Sequence, residues 1–209
     1  KVAVVRLMND QAQLGLAIGG PVLLLLIGLA PWVITLLYSS AFEPAVTLLQ
    51  WQTVGNVFKL TSWAIAFSII AGARAKTFFL MELSFNIVFL GMVFVFLPRV
   101  GLEVTAYAFV LGYLVYLTIV YLLAHTIHGF RWQALSLGLL GLHTSLGVAL
   151  LVLALMAPFA AAIASPLLAT ATGLFGLRVV LSKVGRHGRV PTRLYGLFER
   201  LGWPIQSAV

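Results

Sequence analysis

Residues 45–71 read AVTLLQWQTVGNVFKLTSWAIAFSIIA. Crossing the hydrocarbon core takes about 20 predominantly apolar residues, and this run is long enough. Yet Lys59 stands near its middle. A cation at the centre of a spanning helix costs about 2.5–3.5 kcal/mol on insertion scales and more in simulations. Such a charge is expected to face a bundle interior or a wet cavity rather than lipid. Gln52, Asn56, Lys59 and Trp63 recur at i, i+4, i+7 and i+11, so they share one helical stripe, and Ser62 lies close to it. Lipid offers a polar stripe no partners. Two readings follow: a polar seam that glues helices together, or the lining of a substrate path. The lysine favours the second.

The rest of the chain has the same character. Of its 209 residues 62% are hydrophobic and only 9% charged, with a mean hydropathy of +1.08. A soluble domain is about half apolar and a quarter charged. The composition therefore predicts an all-α membrane protein, a polytopic bundle of transmembrane helices. The absence of cysteine excludes disulfides, thiol catalysis and Cys-ligated zinc. A net charge of +8 is assigned to orientation and lipid headgroups, with no nucleic-acid partner. Residues 1–13 read as an amphipathic stretch without a signal-peptide cleavage site. The chain opens on Lys1 rather than Met, which predicts a fragment of a longer protein.

Six spans are predicted, roughly Leu14–Tyr38, Ala45–Ala71, Thr77–Leu97, Glu103–Ala124, Leu137–Pro158 and Ala161–Leu181. Pro158 is expected to help end the fifth, leaving Phe159–Ala160 as the tightest link. Pro21 and Pro31 are expected to interrupt the first, as in the bent helices of transporters. Gly15 and Gly19 fit close helix packing. Lys1, Arg6, Arg74, Lys76 and Arg131 alternate with connections poor in Lys and Arg, and a basic cluster follows Leu181. The positive-inside rule then puts both termini in the cytoplasm. In the tail, Pro191 to Trp203 is predicted to form a short interfacial helix with Leu194, Phe198 and Leu201 on one side, a basic segment held near anionic membrane lipids.

Other chemistry-bearing residues are few. Glu82 and Asn86 sit at i, i+4 on the third span. Glu82 is either a proton-titrating group or a polar contact near the interface, and both roles stay open. Tyr107, Tyr113, Tyr116 and Tyr121 on the fourth span read as bundle filler and interface anchors. His143 reads as a hydrogen-bonded packing residue. His125 and His128 lack a third ligand, so neither a metal site nor a cofactor is predicted. Connections of only a few residues argue against a membrane-embedded polymerase or ligase, which would need a large outer loop with converging polar groups. No enzymatic activity is expected.

The order LYSS-x-F from Leu36, then WQ-x-x-G-x-x-x-K from Trp51 to Lys59, then Trp63 and E-x-S from Glu82, resembles the bacterial O-antigen flippases (Wzx-type polysaccharide biosynthesis proteins) of the MATE-like exporter superfamily. The likeness covers about residues 10–125 and is thin beyond Arg131. It implies two six-helix lobes around a central cavity. Residues 1–128 would be C-terminal-lobe helices, residues 129–183 two additional helices, and residues 184–209 a basic cytoplasmic tail. The N-terminal lobe would be absent from this chain. The implied activity is movement of undecaprenyl-diphosphate-linked oligosaccharide, an O-antigen or common-antigen unit, across the bacterial inner membrane. Implied partners are that substrate, membrane lipids, the missing lobe and other polysaccharide-assembly proteins. Lys59, Asn56, Gln52, Ser62 and Trp63 would line the cavity, with Glu82 and Asn86 in proton coupling. Relatives often carry an acid where this chain has Asn56, which does not titrate. Export of another amphiphile by a related carrier is the alternative.

Overall fold

Long apolar runs without surrounding water satisfy their backbone groups only within helices or closed barrels. This chain takes the helical route. The computed structural model describes residues 2–71, 75–185, 189–200 and 202–205, so Lys1, Arg74, Arg186 and Leu201 fall outside it. Seven α-helices run as α1 (Val2–Leu37), α2 (Ala45–Ala71), α3 (Ala75–Val100), α4 (Glu103–His128), α5 (Ala134–Met156), α6 (Pro158–Val184) and α7 (Arg189–Arg200), with a short 3₁₀ turn at Ser40–Phe42. The chain is a polytopic helical membrane protein. Among the described residues five helices, α1 and α3 to α6, are long and apolar enough to span. The expected sixth, α2, has 27 residues and carries the polar stripe about Lys59. It packs between α1 and α4.

Helix α1 is the axis of the bundle, touching α2, α5 and α6. Its pairing with α6 is antiparallel and keeps one register throughout. Asp10 meets Lys183, Ala17 meets Gly176 and Gly28 meets Ser165, and Trp32 meets Phe159 edge-on at 5.8 Å. With α5 the pairing is parallel, Gln13 against Ser136 and Gly20 against the His143 ring. Small residues set these approaches, since a Cβ on Gly20 or Gly176 would overlap the imidazole or the Ala17 carbonyl. Gly15, by contrast, faces open space, while its expected partner in close packing, Gly19, lies tight against Leu60 of α2.

The prolines do not break α1, contrary to the expectation from sequence. Each lacks an N–H and so releases the carbonyl four residues earlier. The carbonyl released by Pro31 is that of Ile27, and it accepts a hydrogen bond from the buried Gln50 side chain of α2 at 3.1 Å. The one released by Pro21 is that of Ala17, and Gly176 of α6 lies directly against it. At Pro31 a neighbouring side chain replaces the donor that proline removes. Pro158 also departs from expectation. It opens α6 instead of closing α5, and Ala157 alone links the two. Proline suits the first helical turn, where its missing N–H has no intrahelical partner to lose.

Near the start of α1 a buried polar cluster ties it to α5. The Asn9 amide donates to the Arg131 carbonyl at 3.0 Å, and its oxygen accepts from Gln133 N–H and the Ser136 hydroxyl. Gln13 donates to Gln133 and Ser136. The tail is docked as well. Tyr195 and Phe198 of α7 and Ile205 bury themselves against Leu181, the Tyr195 hydroxyl donates to the Leu181 carbonyl at 2.7 Å, and Arg178 lies over the Trp203 ring.

Gln50→Leu is expected to destabilise the protein by about 1–3 kcal/mol, the cost of stranding a buried carbonyl. In a Pro31→Ala background, which returns a backbone N–H to Ile27, the same change costs less. Thermal unfolding of the detergent-purified variants as a double-mutant cycle measures the difference.

Candidate functional site

The site is built where α2, α3 and α4 meet. Helices α2 and α4 run parallel, with Trp51 edge-on to Tyr107 at 5.0 Å and Gly55 closely apposed to Phe109. Helix α3 returns antiparallel along α4, where the Phe85 and Tyr113 rings lie 4.4 Å apart. It scarcely touches α2. A cleft is therefore left between α2 and α3, with α4 as its floor.

Lys59 is 14 residues into α2, about 21 Å along the helix at 1.5 Å per residue, and so at mid-depth. It is half-buried. Its Nζ lies 4.7 Å from the Trp63 ring centroid, 5.4 Å from Tyr113 and 5.9 Å from Phe109. Among the described residues no carboxylate lies within 4 Å of it. The electron-rich ring faces stabilise the ammonium where water is scarce, by about 2 kcal/mol when it is desolvated. They leave its hydrogen-bonding capacity largely unused.

Glu82 of α3 lies beyond Trp63. One carboxylate oxygen accepts a hydrogen bond from the Tyr116 hydroxyl at 2.7 Å. Glu82 and Tyr116 then border a cavity of about 230 Å³ whose other walls are Trp63, Ala66, Phe67 and Phe78. Trp63 and Phe67 are 44% and 56% exposed, so the cavity opens sideways from the bundle. Trp63 is thus common to both charges, packed against the ammonium and also walling the carboxylate's cavity.

The structure separates the other residues singled out from sequence. Asn56 and Gln52 are half-buried, respectively one and two turns from Lys59 on the same stripe. Ser62 is fully buried, and its hydroxyl donates to the Lys59 carbonyl of its own helix at 2.9 Å, so it does not line the groove. Asn86 is exposed and donates to the Glu82 backbone carbonyl at 2.8 Å, away from the carboxylate. His143 is buried between α5 and α1, with Nδ1 2.9 Å from the Leu139 carbonyl.

Sequence reasoning passed over the aromatic side of the site. Phe109, Tyr113 and Tyr116 follow each other at i, i+4 and i+7, the spacing that defined the stripe on α2. Tyr113 and Tyr116, expected as bundle filler, lie beside Lys59 and Glu82 instead. Two complementary stripes of equal period, one polar and one aromatic, were the available signal.

No protein-family model matches this chain. A search of curated proteins finds no similar chain, and none of the solved structures matches the fold.

A double-mutant cycle with Lys59→Met and Trp63→Leu is expected to return a coupling of about 0.5–2 kcal/mol. Thermal denaturation in detergent reads it, and additivity would show that the ring contact contributes nothing.

Proposed function

We propose that this chain belongs to a membrane transporter that carries an anionic amphiphile from one leaflet to the other, and that lipid-linked oligosaccharide is the cargo. The observation that carries this reading is Lys59, an ammonium at mid-depth with aromatic rings around it and no carboxylate within 4 Å among the described residues. An isolated cation at that depth is costly, and its retention calls for a function. A phosphate or diphosphate meets the same barrier with the opposite sign. Coulomb attraction between the two is several-fold stronger there than in water, and the ammonium donates charge-assisted hydrogen bonds.

The surroundings suit the remainder of such a cargo. Exposed faces of Trp63 and Phe67 offer flat apolar surface to sugar rings, and Gln52 and Asn56 offer hydrogen bonds to hydroxyls. The sideways opening of the cleft lets a lipid tail stay among acyl chains while its head enters. The resemblance in the Trp51–Lys59 and Glu82–Ser84 segments supports the same cargo and a bacterial inner membrane as its location. Alternating access would come from a second group of helices rocking against this one.

Lys59→Ala is expected to abolish transbilayer movement of fluorescent undecaprenyl-diphosphate oligosaccharide in proteoliposomes and to reduce surface glycan in cells, with normal membrane insertion. Lys59→Arg retains a substantial part. Undiminished transport by the alanine variant at equal protein level would refute the proposal.

A further inference from the structure

Resting on that reading of Lys59, we infer that the same site also selects for a protonated amine, so that its ligand is zwitterionic, bearing a phosphate and an ammonium a few bonds apart. Two opposite charges, Lys59 and Glu82, share Trp63 as a common wall without forming an ion pair. Charges of opposite sign attract more strongly in a poor dielectric than in water. Here they are held on different helices with an indole beside both. A site that keeps them apart is complementary to a molecule carrying the same two charges in reverse.

The cavity on the carboxylate side has the chemistry that recognises ammonium groups. Three aromatic side chains, Trp63, Phe67 and Phe78, wall it together with Tyr116. Ring faces attract cations, and aromatic cages are a recurrent receptor for alkylammonium ligands. The Tyr116 hydroxyl occupies one carboxylate oxygen and fixes its direction. The second oxygen receives no hydrogen bond from any described residue and is left for an N–H donor. The cavity volume of about 230 Å³ is several times the ~30 Å³ share of one water molecule, room for an aminoethyl group or part of an amino sugar. A neutral ligand would leave the carboxylate without a counter-charge, at an energetic cost. The amine has two chemical sources, an amino sugar next to the phosphate or a phosphoethanolamine headgroup.

The test is isothermal titration of the whole chain in nanodiscs of phosphatidylglycerol alone, a bilayer without amines. Four soluble probes form two pairs: glucosamine 1-phosphate with N-acetylglucosamine 1-phosphate, and phosphoethanolamine with ethyl phosphate. The amine-bearing member of at least one pair is expected to bind about tenfold tighter or more than its neutral partner, a difference of about 1.4 kcal/mol. Glu82→Gln removes that difference without abolishing binding. The pair that discriminates identifies the source. Equal binding within both pairs, or a preference that persists in Glu82→Gln, overturns the inference. If all four probes bind equally and Lys59→Gln abolishes them, the Lys59 reading stands while the amine inference falls. If Lys59→Gln leaves all affinities unchanged, or if no probe binds, both fall.

Discussion

A backbone carbonyl or charged group in a lipid-embedded bundle has no solvent to fall back on, and several helix contacts in this fold supply such groups with partners. The requirement is sharpest on α1, the helix against which α2, α5 and α6 all pack. Proline frees carbonyls at Ala17 and Ile27. Gln50 donates to one and the backbone of Gly176 closes over the other. The same two contacts fix α2 and α6 along α1. At Gln50, polar satisfaction and helix placement are therefore one event. The Asn9–Gln13–Ser136 cluster does for α5 what Gln50 does for α2.

The site obeys the same rule by a different route. Lys59 does not receive a carboxylate; it receives ring faces. Quadrupole attraction is weaker than an ion pair and leaves the N–H groups of the ammonium available. Glu82 is held by a neutral phenol, again a partner that does not cancel its charge. Both groups are thus stabilised enough to stay folded and remain chemically available. Ser62 and Asn86 behave differently. Each returns its hydrogen bond to its own helix, the usual fate of a short polar side chain in a helix without another partner.

The architecture was legible because it rests on counting. Hydropathy and span length located every helix from α1 to α6, with boundaries displaced at Leu14, where α1 in fact begins at Val2, and at Pro158. The polar stripe on α2 was equally visible as a period. What could not be read was pairing. Whether Pro31 would break α1 depended on Gln50, 19 positions away, and no local signal joins the two. Glu82 and Lys59 are 23 positions apart, and only the antiparallel return of α3 brings them to the same indole. The fate of Ser62 turned on about 100° of helical rotation, which decides between groove and core and leaves no mark in composition. The aromatic stripe of α4 was present in the sequence, but its meaning lay in the helix opposite.

Helix α3 leans on α4 and barely on α2, and most of its surface lies open. Helix α3 is therefore held to the bundle chiefly through one neighbour, while α2 is clamped between α1 and α4. The acid rides on the singly held helix and the base on the clamped one. A shift of α3 relative to α2 therefore changes the separation of the two charges as well as the ring contacts that α3 makes with α4.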